Sequence, residues 1–466
     1  MTGTGTLAAF AAGLAFEDVP PDLAAKIALH LLDTVGCGIA GAETGLTRNL
    51  IGFAGGELAA GPCRVPGTPA AFGPAGAAFL TSAAMNALDH DDGFEVDGRG
   101  MGHPGASLVA AALSAVWQRP VDGRSLIAAL AAAYEINARV ILSMQPSYER
   151  FREVYGVCQH QAIGAAVAYG RLAGLDAGGL ENAFGLAGTL APVPSLRKYN
   201  WQSRPLVSFK DFNAPAAEAG VRGVLLHQAG LVGARNVLDG EHGLWRMLGS
   251  DRFDAELLTA GLGTDWLARH ASFKPFPTCR WMHTALESFC AVRDGHGLAP
   301  AEIEAITVHS FAGMARDFMD AAPQGMVDAE FSLPFALAVL AQGERPALQW
   351  YADEALADAA LLALARRVRV VVDPQIDAEM SSGKRRPAGQ TDVTARGTEL
   401  RGPRLLHPAG TAERPLDAAA LRAKFRANLG HRLGPGAADA LAEALLDPAT
   451  ADIGAVLAGV RGAAAP

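Results

Sequence analysis

The sequence predicts a mainly α fold, with one all-helical domain and a smaller α+β domain. Three observations support this prediction. Half of the 466 residues are apolar and 19% are charged, a composition typical of a large globular protein with a buried core. Apolar residues recur at helical spacing in most segments before residue 264. Short β-branched runs, which are typical of strands, are grouped between residues 264 and 408.

The predicted helical domain covers residues 1–263. Its clearest helix is residues 23–40, where apolar positions at helical spacing follow Pro20, Pro21 and Asp22, a typical helix start. Alanine and glycine fill most faces of the other helical segments, so these helices can approach one another closely. They are predicted at residues 70–88, 106–117, 125–144, 161–173, 180–190 and 214–230.

The composition changes near Thr264, where the predicted α+β domain of residues 264–408 begins. A proline-rich motif at residues 273–280 leads into a predicted helix at 282–293. Residues 409–466 predict amphipathic helices that return to the helical domain. The predicted strands are residues 306–311, 368–373, 391–395 and 399–406, with a turn at Arg396 between the last two.

Charge and cysteine content limit the classes of partner and compartment. A net charge of −9 without a basic cluster argues against nucleic acid, because phosphate backbones require a basic face. Five widely spaced cysteines without a CxxC pair favour a reduced compartment. The first 16 residues lack the basic residues of a secretory signal, and no uninterrupted apolar run reaches the roughly 18 residues of a membrane span. We therefore expect a cytoplasmic protein with no membrane partner.

A polar stretch at residues 86–106 separates two apolar segments and is the densest run of acids and imidazoles in the chain. It contains the run Asp-His-Asp-Asp at residues 89–92 and then His103. Loops held by rigid apolar elements commonly carry chemistry. Acid-base chemistry, metal ligation and a structural loop with a capping His103 all stay open. We favour the first and expect no metal, because no second cluster of matching spacing follows.

The lysines supply a second group of candidates. The chain has only six, and three lie in motif-like stretches with aromatic or apolar neighbours: Lys198, Lys210 and Lys274. Such a lysine can hold a carboxylate as a point charge or, with a lowered pKa, act as a general base. An ordinary surface lysine is the alternative. We predict the functional role for Lys210 and Lys274.

Taken in chain order, these motifs resemble the MmgE/PrpD family over about residues 5–450. The resemblance implies a helical domain closed by an α+β lid domain, a homodimer, and a lyase that uses no cofactor. Its expected substrate is a small anionic di- or tricarboxylic acid. The stretches that carry the resemblance are residues 32–38, 86–103, 217–221, 238–240, 274–283 and 331–335.

Carried over to this sequence, the resemblance implies that Asp89 and His103 face Lys274 across a cleft, with Lys210 nearby. These four are the predicted catalytic residues. His103 is expected to be the acid-base group, because a carboxylate such as Asp89 raises the pKa of an adjacent imidazole. Gly93 stands where family members often have threonine. The predicted substrate-binding residues are Asp92, Gly102, Tyr155, His160, Cys279 and Arg280.

Dehydration of an acid of the 2-methylcitrate type is the first expectation for function. Removing a proton beside a carboxylate builds charge on it, which Lys274, Arg280 and Lys210 would stabilise in the transition state. Decarboxylation or epimerisation of a related acid, of the cis-aconitate or iminodisuccinate type, is the alternative among enzymes. A catalytically silent carboxylate-binding protein is the alternative from another class. For His160 a plain core position stays open, and for Arg280 a structural ion pair.

Overall fold

Alanine-rich helices make up the larger part of the protein. The computed structural model describes residues 2–96, 102–154, 158–193, 205–206, 208, 211–382, 385–430 and 432–460. Within them the fold is mainly α with a smaller α+β part, which confirms the predicted fold class. The described helices before residue 264 are α1 Gly3–Gly13, α2 Pro21–Gly41, α3 Gly45–Glu57, α4 Pro74–Asn86, α5 Pro104–Val116, α6 Gly123–Ser143, α7 Tyr148–Glu153, α8 Gln161–Leu172, α9 Ala177–Leu190, α10 Asn213–Gln228, α11 Leu244–Met247 and α12 Glu256–Thr259.

Small residues allow the central helices to pack with their backbones in contact. A Cβ atom added to Gly220 on α10 would lie 2.6 Å from the carbonyl oxygen of Ala162 on α8. The predicted helix at residues 70–88 begins later than expected, at Pro74, because proline fits the first turn of a helix. The residues before it form a short hairpin of β1 Ala60–Arg64 and β2 Ala71–Phe72.

Within the part of the chain that the structure describes, two helices, α2 and α6, are long and apolar enough to cross a membrane by length and composition alone. Their apolar windows are 83% and 89% buried inside the protein. The core helices of a globular protein pass the same test. Because α2 and α6 are mostly buried, we assign them to the centre of the helical core. The expectation of no membrane partner stays a prediction.

A four-stranded sheet with helices packed on it forms the α+β part. Its strand order is β6-β5-β7-β8, with β5 and β6 parallel and the other pairs antiparallel. The strands are β5 Ile303–Ser310, β6 Val368–Val372, β7 Gln390–Ala395 and β8 Thr398–Leu400, and the helices are α13 His283–His296, α14 Ala312–Asp317, α15 Met326–Glu330, α16 Leu333–Ala341, α17 Asp353–Leu356, α18 Ala359–Ala365 and α19 Pro374–Ser381.

The hairpin between β7 and β8 has the predicted turn but a shorter second strand than predicted. Arg396 and Gly397 have φ values of 52° and 68°, as a two-residue hairpin turn requires. The strand predicted at residues 399–406 pairs continuously only as far as Leu400, and a single antiparallel bridge between Leu405 and Gly389 follows. Pro403, which has no N–H to donate to a ladder, lies in the interruption between them.

The last described helices pack on the helical core. They are α20 Ala418–Leu429, α21 Pro435–Leu446 and α22 Ile453–Ala458. Phe425, Leu441 and Ile453 belong to the same buried cluster as α2 and α6, whereas the α+β part has a separate core. The domain limits at residues 263 and 408 stay a prediction.

Candidate active site

A two-stranded ribbon joins the acidic stretch to the lysine motif. Strands β3 Gly93–Phe94 and β4 Ala271–Ser272 pair antiparallel, with Gly93 opposite Ser272. The ribbon continues for one more bond, since the N–H of Glu95 donates to the carbonyl of His270 at 3.2 Å. The two segments that the sequence predicted to face each other are therefore fixed side by side.

Lys274, Asp89 and His103 converge on one buried cluster. The Nζ atom of Lys274 lies 2.8 Å from Oδ1 of Asp89, and both side chains are almost completely buried. The Nε2 atom of His103 lies 3.6 Å from the same oxygen. Asp89 has a φ of 50°, a left-handed conformation that costs a residue with a side chain roughly 1–2 kcal/mol.

His103 sits among three carboxylates. Its Nδ1 atom is 3.5 Å from Oδ2 of Asp91, and its Nε2 atom is 3.6 Å from Oδ2 of Asp211 and from Asp89. It occupies the N-cap position of α5, yet its side chain makes no capping hydrogen bond. The capping role that the sequence left open is therefore not the role of its imidazole.

The carboxylates change the protonation state of His103. Burial by itself lowers the pKa of this imidazole, and Lys274 lowers it further, but the charges of Asp91 and Asp211 outweigh both and raise it to about 9. The direction agrees with the expectation from the sequence, although Asp91 and Asp211, and not Asp89, are the carboxylates that raise the pKa. His103 is therefore an imidazolium at neutral pH.

The same atoms have a spacing that a metal ion could use. One oxygen each of Asp89 and Asp211 and a ring nitrogen of His103 lie within 4.8 Å of one another. A cation would have to displace a proton from this donor set, because a ligating imidazole must be neutral and Asp91 and Asp211 raise the pKa of His103. The ammonium of Lys274 already holds Asp89. The cluster is therefore better suited to moving protons.

Two sequence profiles match this chain in order. That of the MmgE/PrpD N-terminal domain covers residues 5–256, more than half of the chain, and that of the MmgE/PrpD C-terminal domain covers residues 276–447. The chain belongs to the MmgE/PrpD family. The family predicted from the motifs is thus confirmed.

Relatives within this family carry two kinds of name. The 2-methylcitrate dehydratase of Cupriavidus necator is 26% identical over 440 residues, which cover 90% of this chain and 88% of that protein. The 2-methylcitrate dehydratase of Escherichia coli (strain K12) is 24% identical over 438 residues, with the same coverage. The cis-aconitate decarboxylase of Aspergillus terreus is 25% identical over 297 residues, covering 61% of this chain and 59% of that protein.

Asp92, which follows Asp91 in the acidic stretch, is held by two protein hydrogen bonds. One of its carboxylate oxygens accepts from the N–H of Gly105 at 2.8 Å, and the other accepts from the hydroxyl of Tyr134 at 2.7 Å. Both oxygens of Asp92 thus bind protein donors, and the substrate-binding role predicted for Asp92 stays a prediction. Gly102 is buried beside His103 with a φ of 96°, which favours glycine and turns the chain into α5.

Arg280 is engaged mainly by the protein itself. Its Nε atom donates to Oε1 of Glu95 at 2.6 Å, and Nη1 donates to the carbonyls of Phe273 and Ala409. The structure thus shows the ion pair that the sequence left open, and only Nη2 has no hydrogen-bond partner within the described part. Burial raises the pKa of the Cys279 thiol, and the substrate-binding role predicted for Cys279 stays a prediction.

Of the remaining predicted residues, the structure describes His160. His160 lines a small pocket with Ile141, Met144 and Val154, and burial lowers its pKa to about 3, so its ring is neutral. Tyr155 and Lys210 lie outside the described residues.

The sequence did not single out Asp91 or Asp211 as site residues. Asp91 was hidden within the acidic run, where neighbouring aspartates could not be ranked. Asp211 directly follows Lys210 in a stretch chosen for its lysine. Only the fold brings it to within 3.6 Å of His103.

Proposed function

We propose that this protein is a lyase without a cofactor, which dehydrates a small di- or tricarboxylic acid of the 2-methylcitrate type. The observation that carries the proposal is the buried cluster in which Lys274 and the imidazolium of His103 share one oxygen of Asp89. Such a cluster combines a fixed positive charge, a proton donor and a proton acceptor. The names of the relatives support the same reaction class.

Lys274 supplies the fixed charge. A substrate carboxylate that enters the cluster replaces Asp89 as its partner. Negative charge grows on that carboxylate as the neighbouring proton leaves, so a buried ammonium stabilises the transition state more than the ground state.

His103 and Asp89 supply the proton transfers. Asp89, released from Lys274, takes the proton from the carbon beside the substrate carboxylate while the carbon-carbon double bond forms. His103 donates its proton to the hydroxyl that departs from the adjacent carbon as water. Proton transfer from Asp89 to His103, across the 3.6 Å between them, then restores both groups.

The described cluster alone has too little positive charge for such a substrate. It has the carboxylates of Asp89, Asp91 and Asp211 against Lys274 and protonated His103. Further cations must therefore approach the substrate, and residues 194–210 contain two lysines and two arginines. Lys210, which precedes Asp211, is our choice among them.

Decarboxylation is the second candidate, and the protonated state of His103 favours it. Loss of carbon dioxide leaves a carbanion that needs a proton donor and no general base. An imidazolium with a pKa of about 9 can supply that proton. The cis-aconitate decarboxylase among the relatives is consistent with this reaction.

A substrate panel tests the proposal. The protein is incubated in deuterated water with 2-methylcitrate, citrate, cis-aconitate or iminodisuccinate, and the products are followed by NMR. We expect an unsaturated acid from a hydroxy acid, and a loss of kcat by at least about 100-fold in a Lys274→Met variant. Arg396→Met, at an exposed pair on the lid surface, is the matched control.

The outcomes separate the hypotheses. Carbon dioxide release from cis-aconitate without dehydration of any hydroxy acid would establish the decarboxylase instead. Thermal stabilisation by an acid, with neither turnover nor deuterium incorporation, would identify a carboxylate-binding protein. The homodimer remains part of our proposal, and sedimentation equilibrium of the purified protein tests it.

A further inference from the structure

A second buried lysine lies beneath the acidic stretch. Lys424 is on α20, in the segment that returns to the helical core, and its side chain is only 8% exposed. Its Nζ atom donates to the carbonyl of His90 at 2.6 Å and lies 2.8 Å from Oδ1 of Asp33. The ammonium thus holds the backbone of the catalytic stretch one residue after Asp89, the partner of Lys274.

The residue whose carbonyl Lys424 binds lies between two site residues in the sequence. His90 stands between Asp89, which binds Lys274, and Asp91, which raises the pKa of His103. The left-handed φ of Asp89 is unfavourable, so surrounding contacts must impose it. A charged hydrogen bond to the next carbonyl is such a contact.

Helix α20 is fitted closely to α2 at this point. A Cβ atom added to Gly36 would lie 2.7 Å from the ring of Phe425, so only glycine allows this approach. Asp33 lies three residues earlier on α2 and is fully buried. The proposed chemistry does not use the motif at residues 32–38. This motif is therefore the surface on which α20 packs.

We propose that Lys424 is a positioning residue of the active site, which fixes Asp89 and Asp91 around His103 through the carbonyl of His90. The proposal rests on the proposed function for its kinetic consequences. Its structural consequence, the environment of His103, can be measured without any substrate.

The test must separate positioning from charge. Removing Lys424 alone also leaves Asp33 buried without its cation. The double variant Asp33→Leu/Lys424→Met removes both charges, and such neutral replacement of a buried pair commonly preserves stability. Among the described residues, the groups that face His103 are Asp89, Asp91, Asp211, Lys274 and the Cys158 thiol, and none of them is changed.

NMR titration of His103, assigned with a His103→Gln variant, supplies the readout. We expect the pKa to fall from about 9 in the native protein towards the ordinary value of about 6.5 in the double variant, because the carboxylates move away. With an active substrate, kcat should fall on the order of 10- to 100-fold with a smaller change in KM. Absence of turnover in the native protein would refute the proposed function and leave the titration valid.

A second variant keeps the proposal open to refutation if the double variant does not fold. Asp33→Asn retains the bond from Lys424 to His90, so it should keep the native pKa of His103. Arg426→Met, at a half-exposed position on the same helix, controls for the docking of α20. An unchanged pKa in the folded double variant, or an equal loss in Asp33→Asn, overturns the positioning role.

Discussion

At the scale of single residues, the protein places an imidazole among acids and then buries it. Two of the carboxylates near His103, those of Asp91 and Asp211, keep a proton on it that an imidazole in water would lose above neutral pH. A residue in this state is ready to donate a proton before the substrate arrives. The environment of His103 therefore decides its role more than its residue type does.

This environment predicts a dependence of stability on pH. The pKa of His103 is about 9 in the folded protein, above the value of about 6.5 expected after unfolding. Its stabilising contribution is therefore complete below about pH 6.5 and is lost as the pH rises through about 9. Urea unfolding of the native protein and of His103→Gln at pH 6 and pH 9.5 should show a stability difference that shrinks at the higher pH. A difference that grows would contradict the shift.

The sequence predicted Lys274, Asp89 and His103 because each lies in a distinctive stretch. It could not show that Asp92 accepts hydrogen bonds from Gly105 at the helix N-terminus and from Tyr134, because nothing in an acidic run ranks its carboxylates. Asp211 could not be found from its neighbours, because its role depends on a contact with His103, more than 100 positions earlier in the chain.

At the scale of elements, the long helices were predictable and the short connections were not. The bounds of α2, α6 and α8 lie within two residues of the prediction, because their apolar pattern repeats over several turns. Strands β3 and β4 have two residues each, too few for any alternation to show. Yet this ribbon aligns the two halves of the site.

Gly410 lies in a connection that packs directly against the lysine motif. Its φ is 92°, and an added Cβ atom would lie 2.0 Å from the carbonyl oxygen of Phe273, the residue before Lys274. We expect Gly410→Ala to lower the melting temperature and also kcat, because Phe273 must shift. Gly230 also has a positive φ, 88°, but open space around it. Gly230→Ala should cost only about 1 kcal/mol and leave kcat unchanged. Equal effects on kcat would refute a specific role of the close contact.

At the scale of the whole molecule, an ion pair next to the active site joins the helical core to the α+β part. Glu95 follows β3, and Arg280 lies beyond β4, at the entrance to α13. Their largely buried ion pair lies next to the carbonyls of Phe273 and Ala409. The sequence predicted a helical domain followed by a lid domain but gave no indication of this ion pair, because Glu95 and Arg280 lie far apart in the chain.

A double-mutant cycle measures the coupling free energy between Arg280 and Glu95. Arg280→Met leaves Glu95 buried without its cation, which should lower the free energy of unfolding by on the order of 3 kcal/mol. Adding Glu95→Gln should recover part of that loss, since the buried charge is then gone. The exposed Arg396 and Glu302 pair is the control and should contribute little to stability. Additive losses in the cycle would show that the two side chains act independently.

The contact between Lys424 and His90 joins positions 334 residues apart. At roughly 5–20 residues per second, a ribosome finishes α20 on the order of tens of seconds after the acidic stretch has emerged. Most of the helical core can assemble during that interval, but its reactive loop has no lysine beneath it. The loop therefore takes its final conformation only after α20 has been synthesised. In a nascent chain that ends before α20, the carboxylates around His103 would not yet be fixed in place.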